Sequence, residues 1–138
     1  MTEYHVGRLI DHVHLRVTDL ERSARFYEAV LRALDPAIKV QRGEGWVAAD
    51  ELFLSDDGSP TPMHLAFQAA DQDAVRRFYE AGLAAGGRDN GAPGERPYHP
   101  GYYAAYVLDP DGYNVEAVYH GPVERSAPSV VLTARDTP

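Results

Sequence analysis

The stretch RFYEAVL at 25–31 returns as RFYEAGL at 77–83, with six of its seven positions unchanged. The same 52-residue offset pairs Asp19 with Asp71, Leu15 with Phe67 and His12 with His64. A shared helix vocabulary accounts for a seven-residue echo alone. It does not account for a strand, a cap, a helix and a histidine aligning at one offset. The chain therefore reads as a tandem duplication.

Each copy opens on an alternating strand. In HVHLRV (12–17), His12, His14 and Arg16 share one face, and Val13, Leu15 and Val17 the other. Thr18 with Glu21 three residues on predicts a capping box. Leu20, Ala24, Tyr27, Leu31 and Leu34 then follow at helical spacing, and Asp35-Pro36 ends the helix. Short extended pieces follow, around Gly43–Gly45 and into ELFLS. The stretch SDDGSPTP (55–62) consists of turn and loop formers and reads as a linker. MHLAFQA begins the second copy, with a helix from about Asp71 to Gly86-Gly87. RDNGAPGERPYHPG (88–101) reads as a long loop before a closing hairpin, and VVL in the tail as a candidate edge strand. The expected fold class is α+β. Tandem βαβββ modules, the first about 9–55 and the second about 63–120, are joined by a linker at about 56–62 and followed by a tail at 121–138.

The hairpin can be registered from its turn. Asp109-Pro110-Asp111-Gly112 suits a type I turn followed by a left-handed glycine, which pairs Asp109 with Tyr113 and sets Tyr106 opposite Glu116. Glu116 stands among Val115, Ala117 and Val118. A carboxylate in such a strand is costly unless it is paired or binds a metal. Two histidines at matching strand starts and one strand-centred glutamate form a 2-His-1-carboxylate set, which leaves open positions on Fe(II), Mn(II) or Zn(II). The competing reading of each histidine is a half-buried, hydrogen-bonded side chain.

Bulk properties narrow the partners. A net charge of −8 argues against a nucleic-acid binder, which needs a basic surface. The chain contains no cysteine, which excludes thiolate chemistry and disulfides. It shows no membrane-length apolar run and no signal-like start, so a cytoplasmic protein with no membrane partner is expected.

DHVHLRVTDLERSARFYEAVL, MHLAFQA and VLDPDGYNVEAV together resemble the vicinal oxygen chelate superfamily, over roughly residues 9–120. That group includes glyoxalase I, type I extradiol dioxygenases, fosfomycin-resistance thiol transferases and bleomycin-binding proteins. The resemblance implies βαβββ modules curled as a mixed sheet around a metal-centred cavity. It also implies a homodimer, a small-molecule substrate and one divalent ion (Fe2+, Mn2+, Ni2+ or Zn2+) on His12, His64 and Glu116. Glu51 is the candidate for a fourth ligand of the glyoxalase type, or else a solvent-facing edge residue.

Three readings compete under the resemblance: extradiol-type, glyoxalase-type with the related thiol transfer, and a metal-free binder. An extradiol-type dioxygenase would use His99 as acid/base and Tyr106 as hydrogen-bond donor ahead of DPDG and Glu116. Ala105, Pro97 and the presence of two modules rather than four depart from that pattern, and His99 also reads as a water-facing loop residue. A glyoxalase-type isomerase fits the size and layout, with only Arg88 and Arg96 offered to an anionic adduct. Fosfomycin-type transfer is disfavoured, because His14 stands where that family has threonine. A metal-free binder would line a groove with Trp46 and tyrosines 98, 102, 103, 106, 113 and 119. It has no need of the three ligand positions this chain retains. His14 is either a base or the partner that orients His12, and the second reading is preferred. The leading expectation is a metal-dependent enzyme, extradiol-type ahead of glyoxalase-type.

Overall fold

The computed structural model describes residues 3–6, 12–127 and 129–133; the first residues of the expected module, 9–11, lie outside them. Two βαβββ units follow one another. The first contains β2 (Val13–Arg16), α1 (Leu20–Leu34), β3 (Val40–Gly43), β4 (Trp46–Ala49) and β5 (Leu52–Ser55). The second contains β6 (His64–Gln68), α2 (Gln72–Ala84), β7 (Arg88–Glu95), β8 (Tyr103–Leu108) and β9 (Asn114–Tyr119). Each unit makes a four-stranded mixed sheet that remains open at both edges, in the orders β2-β5-β4-β3 and β6-β9-β8-β7. The first and last strands of each unit run parallel, and the other pairs antiparallel. Flanking strands β1 (Glu3–Val6) and β10 (Val130–Thr133) pair with each other in a separate antiparallel ribbon.

The two helices pack against one another, each laying its apolar stripe on its own sheet. Leu15, Phe26, Val30, Leu54, Phe78, Val107 and Val115 belong to one continuous buried core spanning both units. The single difference within the repeated heptapeptide, Val30 against Gly82, lies in this contact. A Cβ built on Gly82 would come 3.3 Å from a Val30 methyl and 3.2 Å from both methyls of Val107. One copy supplies the knob and the other the space.

Both helices are capped by aspartate. Asp19 accepts from Arg22 N at 3.1 Å, and Asp71 from Ala74 N at 2.7 Å. The expected capping box on Thr18 and Glu21 is thus displaced by one residue: Asp19 takes the N-cap, and the Thr18 amide donates instead to the Asp111 carboxylate at 3.1 Å. The 88–101 segment is also not all loop. Its first eight residues form β7, an edge strand with register shifts between Asp89, Gly91 and Gly94. An edge position and its bulges accommodate Pro93 and the glycines that the sequence reading took for a loop.

The DPDG turn does more than reverse the chain. The buried Asp109 carboxylate accepts from the amides of Asp111 and Tyr113, each at 2.8 Å, and from the Tyr27 hydroxyl on α1 at 2.5 Å. Tyr113 donates its hydroxyl to Arg16 O at 2.8 Å and accepts from Thr61 N at 2.8 Å. The second unit's turn is therefore bolted to the first unit's strand and helix. As registered from sequence, Tyr106 stands opposite Glu116.

Candidate functional site

Glu116 sits in the middle of β9 and is 2% exposed, yet both its oxygens are engaged. Oε1 lies 2.9 Å from His64 Nε2, and Oε2 accepts from the Tyr102 hydroxyl. Burial, followed by the bond to Glu116, pushes the Tyr102 hydroxyl far up, so it remains a donor. Burial and the Glu116 charge also raise Tyr106.

His64 opens β6 with its side chain 48% exposed. Its Nδ1 lies 2.9 Å from Asn114 O. A carbonyl only accepts, so Nδ1 carries the hydrogen. In the neutral ring Nε2 therefore presents a lone pair on the side of Glu116, and in the imidazolium it donates to the carboxylate. A backbone carbonyl holding Nδ1–H is also how proteins orient a histidine that ligates through its other nitrogen. The 2.9 Å between Nε2 and Oε1 is a hydrogen-bond spacing, and it is also close to the roughly 3 Å between adjacent donors of an octahedral ion at bonds of about 2.1 Å. An imidazole and a carboxylate are donors of the kind that hold a divalent ion.

The remaining candidates lie elsewhere. His12 is exposed on the segment leading into β2, in the other sheet. Among the described residues, no three His, Asp or Glu side chains stand close enough together to hold an ion. Glu51 is half-buried in the turn before β5, and burial pushes its carboxyl up. Strand register gives its counterpart in the second unit. His64 pairs with Asn114 and Ala66 with Glu116, while His14 pairs with Phe53. With His12 equivalent to His64, Glu51 corresponds to Asn114, and Phe53 to Glu116. Phe53 stacks on Trp46 at 5.7 Å and takes the His14 ring edge-on at 4.9 Å.

His14 heads a hydrogen-bonded chain. Ser55 Oγ donates to Asp57 at 2.6 Å and so accepts from His14 Nε2, also at 2.6 Å. The bond from Ser55 holds the Asp57 carboxyl below its usual range. His99 is exposed; its Nδ1 lies 2.9 Å from Pro100 O and its Nε2 2.9 Å from His120 Nδ1. Its described contact toward the Glu116 centre is with the Tyr102 ring, edge to face at 5.3 Å between centroids. Tyr106 stands beside the centre, its ring 6.2 Å from that of His64.

From sequence, Tyr102 reads as a groove tyrosine and not as the partner of Glu116. The available signal was Ala104, a small residue two positions after Tyr102 and two before Tyr106, which leaves room for a long side chain to lie along the strand. A small apolar cavity lined by Ala24, Tyr27, Val40, Val47, Ala49 and Leu54 lies on the helix side of the first sheet, away from all of these groups. No described helix is long and apolar enough to cross a membrane.

Known proteins share this architecture. A glyoxalase/bleomycin resistance protein from Albidiferax ferrireducens T118 is 29% identical, with a TM-score of 0.65 over 78% of this chain and 95% of its own. A glyoxalase-related enzyme from Fulvimarina pelagi is 24% identical, with a TM-score of 0.62 over 93% and 99%. A lactoylglutathione lyase from Agrobacterium tumefaciens is 20% identical, with a TM-score of 0.60 over 81% and 93%. The last two likenesses speak for the fold alone. No curated protein matches the sequence. The family model described as glyoxalase/bleomycin resistance protein/dioxygenase matches residues 9–117, most of the chain, and the chain belongs to that superfamily.

Proposed function

We propose that the protein is a divalent-metal-dependent enzyme acting on a small molecule, with extradiol-type oxygenation as the leading reaction. The observation that carries this reading is the His64–Glu116 pair: a buried carboxylate and an imidazole whose Nδ1 is committed to a carbonyl, facing each other at ligand spacing. A bound ion would supply Lewis acidity and open coordination positions for substrate. His12 is the third ligand of the proposal. Because it is exposed on the segment leading into the other sheet, the proposal takes it from a second copy of the chain, which makes the working form a homodimer.

The chain's own groups have definable tasks. Tyr102 fixes the rotamer of Glu116 by donating to Oε2, leaving Oε1 free to act with His64. Tyr106 walls the centre beside His64. His14 donates through Nε2 and so offers Nδ1 as a base, oriented by Ser55 and Asp57. The presence of Phe53 at the position equivalent to Glu116 supports three protein ligands over four, and so favours oxygenation over the glyoxalase type. The His14–Ser55–Asp57 chain favours a second reading, a glyoxalase-type isomerase in which His14 moves the proton.

Metal titration decides. Stripped protein is to be titrated with Fe(II), Mn(II), Ni(II) and Zn(II), alongside His64→Ala, Glu116→Ala and His12→Ala, with oxygen uptake followed on catechols. Fe(II) binding lost in all three variants, with oxygen uptake, is the expected result. Preference for Ni(II) or Zn(II) without oxygen uptake moves the protein to the isomerase reading. Absence of stoichiometric binding by any ion sinks both, leaving a binding protein built on the same face.

A further inference from the structure

β7 is bulged at two places, and both bulges serve the same side chain. Arg96 folds back along the strand, donating from one terminal nitrogen to Ala92 O at 2.7 Å and from the other to Glu95 O at 3.2 Å. Its guanidinium lies over the Tyr106 ring, 5.3 Å from the centroid. Two residues that lack a Cβ widen the space it occupies. A Cβ on Gly91 would come 3.3 Å from one Arg96 nitrogen and 2.9 Å from the Tyr106 ring; one on Gly94 would come 3.1 Å from the other nitrogen. The register shifts fall at these same glycines.

Two carbonyls therefore set the guanidinium, an aromatic ring backs it, and two glycines make room for it. Arg16, Arg32, Arg42 and Arg76 each have a carboxylate partner, whereas no described carboxylate pairs with Arg96. Two of its five N–H groups are used, which leaves donors in the plane that suits a carboxylate. Holding a long cationic side chain in one orientation costs rotamer entropy. Like Arg77, Arg96 is held by backbone carbonyls rather than by an acid, and in a chain of net charge −8 such a cation is a local source of positive field.

Its position gives it a use. Tyr106 stands opposite Glu116 in register and 6.2 Å from the His64 ring, so one tyrosine is the common wall of Arg96 and the His64–Glu116 pair. We propose that Arg96, held over Tyr106 by Gly91 and Gly94, is a carboxylate-binding subsite of the substrate face. The substrate class is then a small molecule carrying a carboxylate remote from its reacting end. This inference rests on the reading that the His64–Glu116 face receives substrate.

The test uses the full chain stripped of metal, with benzoate and its neutral isostere benzamide as probes. Binding is read by calorimetry and by the Arg96 Nε–H NMR signal, and zinc is titrated separately into the same proteins. Benzoate should bind at least tenfold more tightly than benzamide and shift the Arg96 signal. Arg96→Gln should remove that preference, and Arg96→Lys restore part of it. Gly94→Ala leaves every charge in place and crowds the guanidinium with a Cβ at 3.1 Å, so it should weaken benzoate slightly, by less than Arg96→Gln does. Zinc affinity should be unchanged in all three variants. Equal affinity for the two probes, no benzoate-dependent shift at Arg96, or an Arg96→Gln protein that still prefers benzoate would each overturn the subsite. Benzoate captured by Arg96 in a protein that binds no zinc would uphold the subsite and sink the metal reading instead.

Discussion

The two units share a skeleton and differ in what they place on it. Phe26 and Phe78 are fully buried at the same point of their helices, and Asp19 and Asp71 cap both. Elsewhere the equivalent positions part. Phe53 in the first unit answers to Glu116 in the second, Val30 to Gly82, Ser23 to Val75, and the buried Tyr27 to the half-buried Tyr79. The caps and the buried phenylalanines agree in both copies. Val30 against Gly82 differs where the two helices meet, and Phe53 against Glu116 differs on the sheets. A duplicated unit must keep its internal packing, whereas its outward contacts are set by what it meets, and the two copies meet different things.

The largest effect is expected where a phenylalanine answers to a carboxylate. Under the proposed function, Glu116→Ala lowers divalent-metal affinity by about 100-fold or more, since even outer-shell partners are worth 10–100-fold. Phe53→Ala should leave metal affinity within about twofold. It loses half-buried stacking on Trp46 at a cost of roughly 2 kcal/mol of stability. Equal losses of affinity in the two variants, measured by calorimetry, would mean that the register equivalence has no bearing on the site.

Next come the two tyrosines. Tyr27 donates across the unit boundary to Asp109, while burial and then Asp89, in the same unit, raise the Tyr79 hydroxyl. Tyr27→Phe removes a donor from a buried carboxylate and should cost about 2 kcal/mol. It should also change the alkaline limb of the stability profile. Burial, then the Asp109 charge, raises the Tyr27 hydroxyl well above its ordinary value. Its stabilisation is thus fully present below about pH 10, where the unfolded tyrosine begins to ionise. It is lost as pH rises through the folded value, at up to about 1.4 kcal/mol per pH unit. Denaturant titrations from pH 9 to 11 should show a shallower decline for Tyr27→Phe. Parallel declines would show that the folded and unfolded hydroxyls ionise alike.

How much of this was legible follows the same division. Local rules carried the register of the hairpin, because a three-residue turn leaves one pairing of Tyr106 and Glu116. They missed the cap by one residue, since Thr18 and Asp19 are both competent; the match of Asp19 to Asp71 at the repeat offset was the stronger clue. β7 escaped because Gly91, Pro93 and Gly94 are loop formers everywhere except on a bulged edge. The β1–β10 ribbon joins chain ends more than a hundred residues apart, a distance across which alternation says nothing. At the site, Glu116 was visible as a charge out of place and His64 through the repeat. The Tyr102 bond was not, because it depends on a side chain running along its strand rather than across it. The relation of His12 to the pair depends on how two sheets are disposed, which no periodicity encodes.

The helix contact gives a smaller effect with a sign that is easy to read. Gly82→Ala gains about 1 kcal/mol of helix propensity. It forces a Cβ to 3.2–3.3 Å from the methyls of Val30 and Val107, and such overpacking costs about 1–3 kcal/mol. The net expectation is a loss of about 1 kcal/mol, reduced toward zero when Val30→Ala is added. A double-mutant cycle in denaturant reads the coupling. Simple additivity would mean that the two equivalent positions do not press on each other.

The smallest effect is expected at Ser23, whose counterpart is Val75. Both positions are fully buried, but Ser23 brings a hydroxyl that has no hydrogen-bond partner among the described residues. An unsatisfied buried hydroxyl costs free energy that an alanine of similar size does not. Ser23→Ala should therefore raise the unfolding free energy by up to about 1 kcal/mol, read as a higher denaturant midpoint with the slope unchanged. Ser23→Val, which copies the second unit, is the sharper half of the comparison. A gain beyond that of alanine would show that the first helix has the same room as the second, and a loss that its neighbours have closed around the serine. A loss in Ser23→Ala itself would mean that the hydroxyl bonds back to a carbonyl of its own helix, and the asymmetry would then be one of hydrogen bonding rather than packing.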